Sequence, residues 1–313
     1  MIKPFAVILL TVGISLYGVI PGIGQERLAR ELARDSLEVD GLTRTFSIYV
    51  PPMPPPSPPL LLVLHGGGGD GDRIRQLTGG LIEEEADRYG FIVVYPDGFD
   101  RGWNGCRRSA PYRANVENVD DLRFFRALVN RLVESHIVDA SRVWVFGFSN
   151  GGHLALRLAL EAPDDFAAIA AIGASLPIDG ELDCVPTGRP ASVMIVNGTA
   201  DPISPFDGGE VRTETAGRMG VVRSTMESAL YFAGLSGAPE IPDITIASSS
   251  EGSRVEIARW SGSEGREVVL AVIHGGGHSI PGSPAPFPEE VGAVDRGFDS
   301  IALAIEFFRR VSD

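Results

Sequence analysis

At 313 residues, 44% of them hydrophobic, the chain can bury one large core, and α/β folds commonly run to this length as one domain. A formal charge of −14 without any Lys/Arg cluster excludes a phosphate-binding stripe, so no nucleic-acid partner is expected and the acidity serves solubility. Cys106 and Cys184 lie in no CxxC or Cys/His spacing, so neither a metal nor another cofactor is expected.

Residues 5–24 carry no charge, follow Lys3 and precede Gln25 and Glu26, a pattern shared by export signals and membrane anchors. Pro21 and the small residues at Gly22 and Gly24 favour cleavage before Gln25. Residues 1–24 are therefore expected to be a signal peptide, with no stable membrane association once it is removed. In an exported chain the even pair of cysteines leans toward a disulfide, whereas in cytosol it would read as two buried, inert thiols. Residues 25–42 read as an N-terminal extension, a short polar helix or tail. A catalytic domain is expected over 43–313, opening on a strand at 43–50.

The proline-rich stretch 51–59 cannot donate ladder hydrogen bonds and is expected as a stiff surface loop between strands. Residues 60–65 and 91–95 are continuous apolar runs of the sort buried in parallel sheets, with one helix expected between them over 74–88. A second amphipathic helix is expected over 119–135. Further inner strands are expected at 166–174 and 193–196, a hairpin at 254–260 and 267–274, and a closing helix at 300–311. This alternation predicts an α/β single domain with a mostly parallel central sheet flanked by helices.

The run Val143-Trp144-Val145-Phe146 enters Gly147-Phe148-Ser149-Asn150-Gly151-Gly152, and a Leu/Ala-rich helical pattern leaves it. In G-x-S-x-G the serine sits on a sharp strand-to-helix turn that exposes its hydroxyl at the helix N-terminus. With 38 glycines in the chain the pentapeptide alone is weak, but its placement between strand and helix makes Ser149 the candidate nucleophile over a glycine-rich structural turn.

Serine needs a base, and the base needs an orienting acid. Of five histidines, His65 ends a strand, His136 sits where a helix exits, and His153 lies one turn into the helix of Ser149, where it would pack or cap. His274 and His278 flank three glycines after the last strand. His278, on the loop, is the expected base, with His274 at the strand end as the alternative. Asp201 follows an apolar strand and precedes Pro202, so it reads as the acid or as a turn-forming Asp. The order Ser149, Asp201, His278 is that of α/β-hydrolases.

Charge developing on a carbonyl oxygen requires waiting N–H donors. His65-Gly66-Gly67-Gly68-Gly69 closes an inner strand, so Gly67 N–H and Asn150 N–H are the expected oxyanion hole; no Gly-Lys-Ser/Thr follows to make this a phosphate loop. Trp103, with Asn104 and Tyr112 on the same loop, is expected either to stack on an aromatic acyl group or sugar or to pack that loop to the body.

The motifs Leu64-His65-Gly66-Gly67-Gly68, Val94-Tyr95-Pro96-Asp97-Gly98, Gly102-Trp103-Asn104, Asp120-Asp121-Leu122, Gly147 to Gly152, Gly198-Thr199-Ala200-Asp201-Pro202, Pro205-Phe206-Asp207-Gly208-Gly209 and Gly275-Gly276-Gly277-His278 together resemble the secreted α/β-hydrolase family of polyhydroxybutyrate depolymerases and feruloyl or acetylxylan esterases. The resemblance covers roughly residues 43–311. It implies an α/β-hydrolase fold, Ser149, Asp201 and His278 as the triad, Gly67 and Asn150 as oxyanion donors, and Trp103 and Asn104 bordering the acyl site. It also places Cys106 and Cys184 where relatives often carry cysteines. The family pattern departs at Gly67, where relatives commonly carry a larger residue, and at Ile280, where they often carry Trp.

The function expected is that of a secreted serine carboxylic-ester hydrolase acting through an acyl-enzyme. Its partners are expected to be small-molecule or oligomeric esters of polyester or plant cell-wall polysaccharide. A peptidase or thioesterase on the same fold is the chemical alternative. A non-catalytic carbohydrate-binding relative is another, which loss of a triad member would betray; all three members are present. The segment 210–242 is expected to shape the pocket.

Overall fold

The computed structural model describes residues 27–135, 138–214 and 216–312. The export segment expected at 1–24 and the helix-exit position His136 lie outside the described residues. The long runs of Val, Ile, Leu and Ala form β3 (Leu60–Leu64), β4 (Ile92–Pro96), β5 (Val143–Phe148), β6 (Ala168–Ile172) and β7 (Val193–Gly198), every residue of which is buried. Burial on both faces explains why these strands read as unbroken apolar runs. With β12 (Glu267–Ile273) they pair in parallel in the order β4-β3-β5-β6-β7-β12.

Antiparallel pairs extend both edges. On one side β2 (Leu42–Tyr49) pairs with β4, and β1 (Ala33–Val39) pairs with β2; on the other, β11 (Arg254–Ser261) and β10 (Asp243–Ser248) follow β12, completing ten strands. Strand β1 corrects the expectation of a polar helix or tail before residue 43. The residues of β1 are mostly exposed, so no apolar alternation marks it, yet Val39 pairs with Leu42 across Asp40-Gly41, both at positive φ. That Asp-Gly dipeptide is the strongest short-range hairpin signal and was the readable clue. Strand β10 was hidden for a related reason, since its Ile244 and Ile246 face solvent.

The helix expected over 74–88 is two, α1 (Gly71–Thr78) and α2 (Leu81–Tyr89). Gly79 and Gly80 between them both adopt left-handed backbone, which ends one helix and starts the next at a new angle. A short turn, α3 (Arg113–Val116), precedes α4 (Asp121–Glu134), which buries Phe124, Phe125, Leu128 and Leu132 on one face and is capped by Asp120 accepting from Arg123 N–H. Helix α5 (Asn150–Glu161) follows the turn at Ser149, α6 (Thr225–Leu235) opens on a Ser224/Glu227 capping box, and α7 (Ser300–Arg310) is the last helix. One apolar cluster lies under α4, α5 and α6, and a second under α1, α2 and α7, so the sheet is covered on both faces.

Outside the sheet stands a separate hairpin, β8 (Gly209–Thr213) with β9 (Gly217–Val222). Cys106 and Cys184 form a disulfide. No helix of the described residues is long and apolar enough to cross a membrane.

Candidate active site

Ser149 sits at φ 55° and ψ −117°, a strained conformation for a residue with a side chain, between the end of β5 and the start of α5. The turn is possible because its flanking residues are glycines. A Cβ on Gly147 would run into the carbonyl of Gly151, and one on Gly151 would lie 2.5 Å from the carbonyl oxygen of Leu64. Ser149 N–H donates to Ile172 O at 2.8 Å, which ties the strained residue to β6.

The other two side chains arrive from loops at the same end of the sheet. Asp201 follows β7, and its Oδ1 accepts from the N–H groups of Ile203 and Ser204, both at 2.8 Å. The turn-forming reading therefore holds, with one oxygen building the turn and the other left for His278. The loop after β12 is held to this one by Ala200 N–H donating to Gly276 O at 2.9 Å. His278 Nδ1 lies 2.7 Å from Asp201 Oδ2, and its Nε2 lies 2.8 Å from Ser149 Oγ. A carboxylate can only accept, so the ring proton sits on Nδ1 and Nε2 accepts the Ser149 hydroxyl. Both His278 and Asp201 are buried, which strengthens their pairing relative to water.

The remaining histidines go elsewhere. His274 lies past the end of β12 with Nε2 3.5 Å from Glu256, not at the serine. His65 is buried, accepts from Gly98 N–H through Nε2 at 2.9 Å, and has its pKa lowered by burial. His153 is buried behind the serine turn, and burial first, then the charge of Arg107, holds its pKa well below the ordinary value.

Gly66 and Gly67 line the cleft beside Ser149. Asn150 begins α5, so its N–H has no intrahelical acceptor, and among the described residues neither it nor Gly67 N–H meets a protein acceptor. Gly67 lies in the wall of the cleft and Asn150 is the residue next to Ser149.

Trp103 and Asn104 require a correction. Trp103 is fully buried; its indole N–H donates to His65 O at 2.9 Å and its ring packs against His65 and Phe125. Its backbone N–H donates to Asn150 Oδ1 at 2.8 Å, while Asn150 Nδ2 donates to its carbonyl at 3.1 Å. Asn104 is buried too, donating through Nδ2 to Asn118 and Val119 and through its backbone N–H to Asp121, which in turn pairs with buried Arg44 at 2.8 Å. An indole N–H and an amide that are already satisfied inside the body cannot touch substrate. These residues brace the glycine loop and the serine turn.

The cleft, about 240 Å³, is instead walled by Phe148, Ile203, Met219, Phe287 and Val291, with Tyr112 over Gly67. Phe148 was within reach of sequence reasoning as the residue before the serine. The others lie on loops and on the β8–β9 hairpin, whose approach to the site no periodicity encodes. A latch holds that hairpin: Arg107 Nη1 donates to Met219 O at 2.7 Å. Burial pulls the Arg107 guanidinium down to about 10, still charged at neutral pH, and its neighbour Cys106 is bonded to Cys184. Among the described residues no group of three or more His, Cys, Asp or Glu is placed to hold a metal ion.

The sheet order, the strained serine turn and the loops that converge on it define an α/β-hydrolase, and the structure of the acetyl xylan esterase from Aspergillus awamori shares the fold. That superposition has a TM-score of 0.56 at 15% identity and covers 89% of this chain and 99% of that one. The chain belongs to the esterase PHB depolymerase family, whose model matches residues 44–230. It is 34% identical over 233 residues to the protein named "Putative esterase NocK" of Nocardia uniformis subsp. tsuyamanensis, covering 71% of this chain and 66% of that one. It is 29% identical over 124 residues to feruloyl esterase C of Emericella nidulans, covering 40% of each chain. The chain thus spans less than two thirds of the first relative and well under half of the second.

Proposed function

We propose that the chain is an exported serine carboxylic-ester hydrolase working through an acyl-enzyme. The substrates are soluble esters, or oligomers of polyester or plant cell-wall polysaccharide. The observation that carries this reading is the line of hydrogen bonds from Ser149 through His278 to Asp201, opening on a cleft whose glycine wall has free N–H donors.

In the first half-reaction the Ser149 proton passes to His278 Nε2 as Oγ bonds to the ester carbon. Gly67 and Asn150 N–H receive the oxyanion. When the carbon–alkoxy bond breaks, Nε2 returns the proton to the leaving alcohol. Water then repeats the sequence, giving its proton to Nε2 and its oxygen to the acyl carbon, and Ser149 leaves with the proton back in place. Asp201 fixes the tautomer and stabilises the imidazolium throughout.

The substrate classes follow from the names of the family, of a similar feruloyl esterase and of a structural neighbour, an acetyl xylan esterase, and the apolar walls of the cleft suit an acyl group. Export, with residues 1–24 as the cleaved signal, is supported by the disulfide, which persists in oxidising compartments. The test is Ser149→Ala: kcat on p-nitrophenyl acetate should fall by about 10⁴ to 10⁶, and a fluorophosphonate probe should label the parent but not the variant. Undiminished turnover or labelling in the variant would overturn the mechanism.

A further inference from the structure

The geometry points to the Tyr112 hydroxyl as a third donor to the substrate oxyanion, beside the N–H groups of Gly67 and Asn150; this rests on the serine-esterase reading above. Tyr112 enters the cleft from the turn before α3, and its ring passes between two glycines. A Cβ on Gly102 would lie 2.9 Å from Tyr112 Cδ1, and one on Gly67 would land on the hydroxyl oxygen, 2.6 Å from Cζ. The phenol thus occupies the space where residue 67 would otherwise carry a side chain, directly against the backbone unit that supplies an oxyanion donor.

The hydroxyl has little else to do there. Among the described residues its one protein partner is Met219 Sδ at 3.5 Å, and a thioether is a weak acceptor. Tyr112 is half-buried in the wall of the cleft, and a hydroxyl whose resting acceptor is only a thioether is free to turn to a stronger acceptor that arrives with the substrate. Burial raises the phenol above its ordinary pKa of 10.0, which keeps it a donor throughout the neutral range. The glycine loop does not move to meet it, because Gly68 N–H donates to Arg101 O at 2.8 Å and Gly69 N–H to Gly66 O at 3.1 Å. A donor held in place before the reaction needs no reorganisation when charge develops, and that is the condition under which such groups accelerate acyl transfer.

Two consequences separate this role from mere packing. Because the phenol meets charge that develops in the transition state, its loss should reduce kcat while leaving KM nearly unchanged. Because it makes no strong bond in the resting protein, its loss should not lower the melting temperature.

The experiment compares the parent with Tyr112→Phe, using p-nitrophenyl acetate turnover, inhibition by a trifluoromethyl ketone that forms a tetrahedral adduct on serine, and thermal unfolding. We expect kcat to fall by about 10²-fold, KM to stay within twofold, inhibitor affinity to weaken by a similar factor as kcat, and the melting temperature to hold. Gly67→Ala, which expels the phenol from its place, should lose turnover as well. An active parent with Tyr112→Phe inside threefold of it in kcat would overturn the role of Tyr112 alone. So would a variant that loses stability in step with activity. A folded parent that neither turns over the ester nor reacts with a fluorophosphonate would overturn the serine-esterase reading instead.

Discussion

Replacing Trp103 by Phe removes one hydrogen bond and part of one ring while leaving the bonds between its backbone and Asn150 intact, since those involve only the Trp103 main chain. The lost donor leaves His65 O without its indole partner in a fully buried setting, which costs about 1–3 kcal/mol. The smaller ring adds a cavity term of about 1 kcal/mol. Unfolding free energy should therefore drop by about 2–4 kcal/mol in urea titrations. Turnover should fall too, because His65 O is the anchor of the loop that carries Gly67, and a displacement of the order of 1 Å at a reacting group can cost about 10²-fold. The decisive comparison is between ethyl ferulate and an acetyl ester. With Trp103 at 0% exposure the two substrates should lose the same factor, because nothing buried can read the acyl group. A selective rise in KM for the feruloyl ester, at unchanged stability, would return Trp103 to the substrate and refute the bracing role.

Two further outcomes follow from groups placed outside the reaction itself. The disulfide closes a loop with a sequence separation of 78, so Cys184→Ser should lower stability by about 4 kcal/mol in the chain-entropy treatment. Thermal unfolding of parent and variant under the same redox conditions measures it, and an unchanged melting temperature would contradict it. Burial keeps His65 and His153 neutral in the fold, their pKa values lying below those of the unfolded chain. Their contribution is thus fully present above the unfolded value and is lost as pH falls from there toward the folded values. Below about pH 6.5 each should remove up to about 1.4 kcal/mol per pH unit. His153→Gln should flatten that slope in urea titrations at pH 7.5, 6.0 and 5.0, and an equally steep slope in the variant would show that its titration is not responsible.

The parallel centre of the sheet was legible because strands buried on both faces are written as unbroken apolar runs, and Leu60–Leu64 and Val193–Gly198 could hardly be read otherwise. The hydrogen-bonded serine, histidine and aspartate could be assembled for a similar reason, since each ends a recognisable strand and is marked by its own turn chemistry: glycines at 147 and 151, proline at 202, and glycines at 275–277. What escaped notice lacked either signal. Strand β1 is polar and exposed, and only Asp40-Gly41 announces it. Trp103 and Asn104 occupy loop positions where an exposed aromatic and a buried brace have the same sequence, so the choice rested on whether His65 O and Asp121 needed donors, which only the assembled chain decides. Tyr112 and Met219 meet across 107 positions of sequence, a separation to which no local pattern refers.

Arg107 grips the β8–β9 hairpin through the main-chain carbonyl of Met219 rather than through any side chain. The latch is therefore blind to the hairpin's sequence. A different pair of strands, carrying other residues at 213 and 219, could seat on the same guanidinium and present a new wall to Ser149 while the ten-stranded body stayed as it is. Changes at Thr213 and Met219 would thus reshape the wall that faces Ser149 without touching the bond by which Arg107 holds the hairpin.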